Sequence, residues 1–341
     1  MWIPWARPWA WVNCVAASFD ASGSLVIAYP TSSDTSESLA VAAVAGSVFA
    51  GVISVPVPVV EYQFDLVPSE GGGIAINTAH ELGHKRESAE RWLSKVALAP
   101  TAYGHFFVEH NRGHHTRVAT AEDPASARLG ESFWQFWPRT VLGSLRSAWR
   151  LESRRFSPRR RSLWTPRNEI LNAWAMTAVL FGVLALMFGP AVLPFLLAQA
   201  VLGFSLLEVV NYLEHYGLAR QRTATGRYEK VDERHSWNSN RLTTNIFLYQ
   251  LQRHSDHHAN PTRRYQALRS FDTSPQLPAG YATMIVVALI PPLWRRIMDP
   301  RVLAHYGGDL RRPNVHPPAR ARLAARYGPQ PTAGGLPASV R

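Results

Sequence analysis

The sequence predicts an all-α, polytopic membrane protein with a histidine-rich site on its cytoplasmic side. Three observations support this fold class. Residues 171–188 and 191–213 are apolar and long enough to cross a bilayer as helices, and Gly189-Pro190 favours a turn between them. Nine of the thirteen histidines lie in four short clusters on either side of this hairpin. Charged residues make up only 18% of the chain, below the roughly 25% of an ordinary domain.

The residues before the hairpin fall into two regions. We interpret 1–72 as an atypical N-terminal region with one plausible membrane span at 39–60, followed by a loop that ends in three glycines. From Ile74 onward the apolar pattern is helical and continues through the first two histidine clusters. Between those clusters, 93–108 is apolar but interrupted by Pro100, which predicts a short or buried membrane helix.

The residues after the hairpin are mostly polar. The apolar stretch 281–293 is too short to cross a bilayer comfortably, so 73–310 is predicted to form one membrane-bound domain. Residues 311–341 are rich in Pro, Arg, Ala and Gly, which predicts a disordered basic tail. Because the two ends of a hairpin lie on one side of the membrane, we expect all four clusters on one face. His215 follows the second stretch directly and would place the site at the membrane boundary.

The net charge of +12 narrows the possible partners. Arginines concentrate at 154–161 and 220–234, on both sides of the hairpin, where the positive-inside rule expects cytoplasmic charge. No nucleic-acid-binding motif accompanies them, so we expect membrane lipid and no nucleic acid as a partner. We predict a multi-pass protein of the inner (plasma) membrane with its active site on the cytoplasmic side. The single cysteine, Cys14, excludes an internal disulfide and a multi-thiolate metal site, and the N-terminus shows no cleavable signal peptide.

The four histidine clusters have the spacing of metal ligands. They comprise His80 and His84; His110, His114 and His115; His215; and His254, His257 and His258. Histidines four apart lie on one face of a helix and can bind one metal, whereas adjacent histidines diverge by roughly 100° and can address two. A zinc ion takes four protein ligands in a structural site and three in a catalytic one. Nine histidines therefore predict two metal ions with four or five ligands each.

The residues alone leave the kind of metal open, since imidazole suits iron, zinc, copper and nickel. Taken by itself, His80-Glu81-Leu-Gly-His84 is the zinc protease signature. A protease of that kind needs one further ligand and a soluble cleft. The seven other clustered histidines and the membrane hairpin argue against it.

Carboxylates lie beside these histidines, and we expect them to accept the free ring N–H of a ligand and so fix its tautomer. They are Glu81, Glu109, Glu214 and Asp256. Glu109 and Glu214 each precede a clustered histidine directly and are our candidates for a catalytic role. His105 and His235 stay ambiguous, and His305 and His316 are interpreted as ordinary surface or core residues.

The clusters and their neighbours resemble the membrane alkane 1-monooxygenase (alkane hydroxylase) family, within the membrane fatty acid desaturase and hydroxylase superfamily. The resemblance runs from about Gly73 to Asp309. Its motifs are Asn77-Thr-Ala-His80-Glu-Leu-Gly-His84-Lys85, Glu109-His110-Asn-Arg-Gly-His114-His115, Asn211-Tyr-Leu-Glu214-His215-Tyr-Gly217 and Leu251-Gln-Arg-His254-Ser-Asp-His257-His258-Ala259. The third motif and the Leu-Gln-Arg lead-in of the fourth distinguish this family from membrane fatty acid desaturases.

The resemblance implies a six-helix membrane enzyme with a non-haem di-iron centre. Such an enzyme hydroxylates the terminal carbon of n-alkanes to 1-alkanols with O2. Its electrons come from rubredoxin, which a rubredoxin reductase reduces. The nine histidines match the family's iron ligands one by one. Rubredoxins are small acidic proteins, so an arginine-rich cytoplasmic face would favour their docking.

Two alternatives remain open. The chain resembles, more broadly, other membrane di-iron oxygenases, such as fatty acid desaturases, fatty acid hydroxylases and xylene-type monooxygenases. It is also compatible with an inactive iron-binding remnant that lacks the N-terminal channel helices. Only 79 residues precede His80, with one plausible span, whereas the family has more apolar sequence there.

Overall fold

The computed structural model describes residues 17–19, 25–27, 67–159 and 162–328. They belong to two units, Met1–Ala42 and Ala43–Arg341. The first unit contains two short antiparallel strands, β1 (Ala17–Phe19) and β2 (Leu25–Ile27). The second unit contains the helices, so the all-α prediction is confirmed for this larger part. The predicted span at 39–60 lies outside the described residues.

The helices of the second unit surround the histidine clusters. They are α1 (Val67–Gly83), α2 (Ser88–Leu98), α3 (Phe106–Val108), α4 (His115–Arg117), α5 (Phe133–Phe156), α6 (Glu169–Phe188), α7 (Leu193–His215), α8 (Leu242–Phe247), α9 (His254–Ala259), α10 (Tyr281–Ala288), α11 (Pro291–His305) and α12 (Arg320–Tyr327). A π-helix, Glu109–His114, joins α3 to α4. Short 3-10 turns occur at Ala99–Thr101, Ser157–Arg159, Pro190–Val192, Glu233–His235, Tyr265–Ala267 and Pro317–Ala319.

Helix α1 begins earlier than the sequence predicts. The loop prediction is wrong for residues 67–73, which form the first turns of α1. Glycines disfavour a helix by about 1 kcal/mol each relative to alanine, which is why the three at 71–73 indicated a loop. Pro68 is compatible with a helix start, because its missing N–H would have no partner in the first turn.

The membrane hairpin has the predicted form. Helix α6 and the helix Pro190–His215 are each long and apolar enough to cross a membrane, which confirms the two predicted spans. Asn168 caps α6 by accepting a hydrogen bond from the Ile170 N–H at 3.0 Å. Gly189 turns the chain with φ +82°, a conformation that favours glycine. Leu186 is 89% exposed and only 17% of the α6 span is buried, as expected of a helix that faces lipid.

The other two apolar stretches do not form simple spans. In 93–108, α2 ends at Leu98, Pro100 lies in a 3-10 turn, and α3 starts at Phe106. Leu98 and Phe106 are buried, which matches the buried alternative. The stretch 281–293 is divided between α10 and α11, which meet at a bend of 119°; together they count as a third span only if a broken one is allowed.

An aromatic core fixes the end of α7, where His215 lies. Tyr212 and Tyr216 pack against Trp294 of α11 with ring centroids 5.0 and 5.3 Å apart, and Phe136 of α5 is 5.4 Å from Tyr212. All four side chains are fully buried. Aromatic pairs at such distances stabilise a core by about 0.5–1.5 kcal/mol each beyond the burial of their area. This packing holds the last turn of α7 in a fixed position.

The predicted disorder is wrong for residues 311–328. Leu129 N–H donates to the Asn314 carbonyl at 2.7 Å. Ala319, just before α12, and Leu323 within α12 pack against the core. These two apolar residues are four apart, so they share the inner face of a turn whose outer face is arginine-rich. The average composition of residues 311–341 does not reveal a pattern of only two apolar residues. Residues 329–341 lie outside the described part of the chain.

Candidate metal centre

The nine clustered histidines converge in two groups. The five-histidine group contains His80, His84, His110, His115 and His257, and the four-histidine group contains His114, His215, His254 and His258. Within each group, one ring nitrogen of every member lies within 4.8 Å of those of the others. The structure thus brings all nine predicted ligands together. Their identity as iron ligands stays a prediction.

Adjacent histidines are divided between the groups, as helical geometry predicts. His114 belongs to the four-histidine group and His115 to the five-histidine group. His257 and His258 are divided in the same way on α9. Each of these two short segments therefore contributes to both groups, which fixes the groups relative to each other.

In the second cluster, a π-helix determines that His110 lies in the same group as His115 and not as His114. His110 and His115, five residues apart, have their Nε2 atoms 3.0 Å apart. In a regular α-helix, His110 would share its face with His114 instead. The i→i+5 turns of the π-helix Glu109–His114 bring every fifth residue onto one face. The sequence predicts the regular α-helical period here, because no residue type in the segment marks a π-helix.

The donor atoms within the groups fit metal ions. The Nε2 atoms of His84 and His110 lie 3.1 Å apart, and those of His254 and His258 lie 2.9 Å apart. His80 Nε2 and both ring nitrogens of His215 are buried without a hydrogen-bond partner. Burial lowers the pKa of His80 to about 3, so its ring is neutral at pH 7 and keeps a lone pair for a metal. Converging neutral imidazoles are a ligand set for iron, zinc, copper or nickel.

A carboxylate that sequence analysis missed supports the four-histidine group. Asp123 Oδ2 lies 2.9 Å from His114 Nδ1 and also accepts a hydrogen bond from Ser126 Oγ at 2.6 Å. Burial alone would raise the pKa of Asp123, but His114 and these hydrogen bonds lower it to about 2. The ionised carboxylate holds the proton of His114 on Nδ1 and leaves Nε2 free to bind a metal. Asp123 lies eight residues beyond the nearest cluster, so spacing along the chain gave no indication of it.

Glu214 lies at the four-histidine group itself. Its Oε2 is 3.1 Å from His254 Nε2, and its Oε1 accepts a hydrogen bond from the Tyr281 hydroxyl at 2.9 Å. The carboxylate therefore reaches the side of His254 that faces His258. This position is compatible with the catalytic role predicted for Glu214, which stays a prediction.

Glu109, the other catalytic candidate, has a different environment. Its Oε1 accepts a hydrogen bond from Arg117 Nη2 at 2.6 Å. Burial raises its pKa to about 7 although Arg117 lies beside it. A Cβ on Gly113 would lie only 2.5 Å from Glu109 Oε2, so the carboxylate packs against the backbone of its own π-helix. Its contacts favour support of this helix, and a catalytic role stays a prediction.

The prediction that Glu81 and Asp256 accept ring N–H groups is wrong. Glu81 forms an ion pair with Lys85 at 2.5 Å and accepts the Tyr265 N–H at 3.1 Å. Asp256 is paired with Arg263 and accepts the Arg269 N–H at 2.9 Å. Both carboxylates point away from the ligands next to them in sequence. Through these contacts they hold the segment after α9, residues 263–269, against the helices that carry the histidines.

The remaining histidines lie outside both groups. His235 is buried between the Asp232 N–H and Glu229, at 3.0 and 3.1 Å, and so shapes the loop after α7. His105 is buried against Tyr103, with ring centroids 4.3 Å apart. Neither belongs to the two histidine groups, and His305 and His316 are partly exposed outside them.

A cavity of about 140 Å³ opens onto the histidines. Ile76, Phe106, Leu206, Leu207, Val210, Leu248, Leu251 and Ile285 line it, with Asn77, Asn211, Glu214, His80, His110 and His254. His80 and His110 belong to the five-histidine group and His254 to the four-histidine group. A mostly apolar space therefore meets both groups. An apolar cavity of roughly this volume, about 150 Å³, stays dry and binds benzene in another protein.

Comparison with known proteins gives consistent matches. The sequence model described as fatty acid desaturase matches residues 66–288. An alkane 1-monooxygenase of Acinetobacter baylyi is 53% identical over 256 residues, which cover 75% of this chain and 63% of that protein. An alkane 1-monooxygenase of Ectopseudomonas oleovorans is 48% identical over 256 residues, covering 75% and 64%. The hydroxylase component of a Pseudomonas putida xylene/toluene monooxygenase is 24% identical over 216 residues, covering 63% and 57%.

The match to the fatty acid desaturase model includes all four histidine clusters. The chain spans a little under two thirds of the length of the curated alkane 1-monooxygenases that it matches.

Proposed function

Since this membrane protein belongs to the fatty acid desaturase family and its motifs are those of alkane 1-monooxygenases, we propose that it hydroxylates the terminal carbon of n-alkanes to 1-alkanols. The resemblance inferred from the motifs is confirmed by identities of 53% and 48% to two such proteins. One observation supports the proposal for this chain: two groups of mostly buried histidines line or adjoin a mostly apolar cavity. This is the arrangement that a redox reaction on an apolar substrate requires.

The nine histidines would hold two iron ions, one in each group. Bound there, iron would supply the redox chemistry that uses O2 to attack an unactivated C–H bond. Acid–base catalysis has nothing to act on, because a primary C–H bond has no acidic proton and no group to polarise. The choice of iron follows the relatives, since imidazole alone does not discriminate among iron, zinc, copper and nickel.

The protein's own contribution is to position the substrate and to exclude water. Leu206, Leu207 and Ile285 give the cavity an apolar wall, and His80 and His254 lie at the same cavity. A volume of about 140 Å³ admits the end of an alkyl chain rather than the whole of a long one. The methyl end of an n-alkane would therefore meet the metal centre first.

We propose rubredoxin as the electron donor, with a rubredoxin reductase upstream. The loop after α7 begins next to His215, at one end of the membrane hairpin. Arg222, Arg227 and Arg234 are exposed on this loop. An acidic protein would be attracted to such a surface, with a rate that falls as salt rises. These arginines lie at the end of the hairpin that carries His215. By the positive-inside rule, this position supports an inner-membrane protein whose active site faces the cytoplasm.

The test is conversion by membranes that contain the chain, rubredoxin and rubredoxin reductase. We expect 1-octanol from n-octane or 1-hexadecanol from n-hexadecane, together with about two irons per chain, as the two groups predict. The matched control is His114→Ala, which should insert into the membrane yet give no alcohol. Oxidation of p-xylene or of a fatty acyl substrate instead would favour a related oxygenase. Two irons without any product would favour the inactive remnant.

A further inference from the structure

The cavity at the metal centre has two polar lining residues whose hydrogen-bonding groups an alkane cannot use. Asn77 and Asn211 line it among the apolar residues and are only 7% and 6% exposed. A buried amide without a hydrogen-bond partner costs stability. Since an n-alkane offers neither a donor nor an acceptor, it cannot form a hydrogen bond with either amide. A ligand that uses these amides must have a polar group.

Asn77 offers a donor. Its Nδ2 is buried and has no hydrogen-bond partner. Asn77 precedes His80 by three residues on α1, so both project from the same face of the helix and both line the cavity. An unpaired N–H group thus lies beside a histidine of the five-histidine group.

Asn211 offers an acceptor. Its Nδ2 donates to Glu208 Oε2 at 3.3 Å. Glu208 is itself fixed, because it accepts hydrogen bonds from the Tyr103 hydroxyl at 2.8 Å and from Thr140 Oγ1 at 2.9 Å. With Nδ2 turned toward Glu208, Oδ1 is the acceptor that Asn211 offers to a ligand.

Glu208 is an unusual residue at this place. It is 1% exposed and lies within the apolar helix Pro190–His215. Ionisable residues inside membrane helices are costly and commonly serve a function. Its contacts here join α7 to α5 and to the segment around Tyr103, and they orient the amide of Asn211.

We propose that Asn77 and Asn211 form a hydroxyl-binding subsite for a primary alcohol, with Glu208 as a positioning residue. The inference rests on the proposed function, since a 1-alkanol is the product of that reaction. A hydroxyl group needs one acceptor and one donor, and Asn211 Oδ1 and Asn77 Nδ2 provide them. The alkyl part of the alcohol occupies the same apolar wall as the alkane. The subsite therefore makes the cavity prefer alcohol to alkane.

Direct binding tests this without turnover. Purified iron-loaded protein in nanodiscs is equilibrated with radiolabelled 1-octanol or n-octane, and binding to empty nanodiscs is subtracted. The measured quantity is the ratio of the two dissociation constants. We expect Asn77→Leu and Asn211→Leu each to reduce the preference for 1-octanol by about five- to tenfold, the effect of one lost hydrogen bond.

Two further variants separate the hydroxyl from the alkyl chain. Leu206→Ala, in the apolar wall, should weaken both ligands equally and leave the ratio unchanged. Asn77→Ser retains a donor and should restore part of the preference that Asn77→Leu loses. Iron content and thermal unfolding are measured for every variant, so that a misfolded one is replaced by its serine counterpart.

The outcomes for the subsite and for the reaction are distinguishable. Wild-type protein that binds 1-octanol no more tightly than n-octane overturns the subsite, whatever its activity. Unchanged ratios in both leucine variants overturn it as well. A preference for 1-octanol that both asparagines control supports the subsite even if no alkane is converted, in which case only the proposed reaction fails.

Discussion

The two histidine groups differ in what surrounds them. All four members of the four-histidine group are buried, and two carboxylates contact it, Asp123 at His114 and Glu214 at His254. In the five-histidine group, His84 and His115 are partly exposed. Glu81, which lies between two of its members in sequence, is paired with Lys85 instead. The four-histidine group thus has full burial and two neighbouring carboxylates, whereas the five-histidine group has a fifth imidazole instead.

This difference indicates how the two sites would hold their ions. A carboxylate that accepts a ligand's ring N–H raises the basicity of that ligand and fixes its orientation. Asp123 supports His114 of the four-histidine group in this way, whereas Glu214 lies on the side of His254 that faces His258. The five-histidine group has more ligands but lies closer to solvent. We therefore expect its ion to exchange more readily.

Removing one ligand from either group should have the largest effect. His257→Ala in the five-histidine group and His114→Ala in the four-histidine group should each abolish alkane hydroxylation and lower the bound iron, while membrane insertion stays intact. Activity and iron per chain are measured on the same membranes. Full activity in either variant would contradict the assignment of two iron sites.

Much of this arrangement could be predicted from the sequence. The two spans follow from apolar length, and the division of His114 from His115 follows from the angle between adjacent helical residues. The pairing of His110 with His115 could not be predicted, because it depends on a π-helix whose extra residue leaves no mark in composition. Asp123 was missed for a related reason: it reaches His114 through the fold of residues 118–126 and not through spacing along a helix.

The carboxylates show the limit of reasoning from proximity in sequence. Glu81 and Asp256 adjoin clustered histidines, yet cations next to them in the fold bind them instead. Residues 317–327 show the same limit for composition, since Ala319 and Leu323 pack against the core in a segment whose composition predicts disorder. In each case a single tertiary contact overrides the local pattern.

Loss of the Asp123 charge should act on one group selectively. In Asp123→Asn, the amide no longer holds the His114 proton on Nδ1, so Nε2 becomes a poorer ligand. We expect iron affinity or activity to fall by about 10- to 100-fold, the range for residues that orient metal ligands. Iron titration of apo-protein should show one weakened and one unchanged site. Equal weakening of both sites would mean that Asp123 acts on the fold as a whole.

Glu214→Gln should have a smaller effect. Glutamine retains an acceptor for the Tyr281 hydroxyl but removes the negative charge beside His254. We expect lower activity, by about tenfold, with iron still bound in both groups. The measurement is turnover per bound iron rather than per chain. Wild-type turnover per iron would remove Glu214 from any role at the metal centre.

Glu81→Gln is the matched control, and its effect should be the smallest. Glu81 adjoins His80 in sequence as closely as Glu214 adjoins His215, but its carboxylate meets Lys85 and the Tyr265 N–H. Glutamine can still accept that N–H, so only the ion pair is lost. We expect a slightly lower melting temperature. We expect the loss of iron affinity to be much smaller than the roughly tenfold loss seen for residues that orient a metal ligand. If Glu81→Gln weakened the five-histidine group as much as Asp123→Asn weakens the other, the contrast between the groups would not hold, because both would then depend on a neighbouring carboxylate.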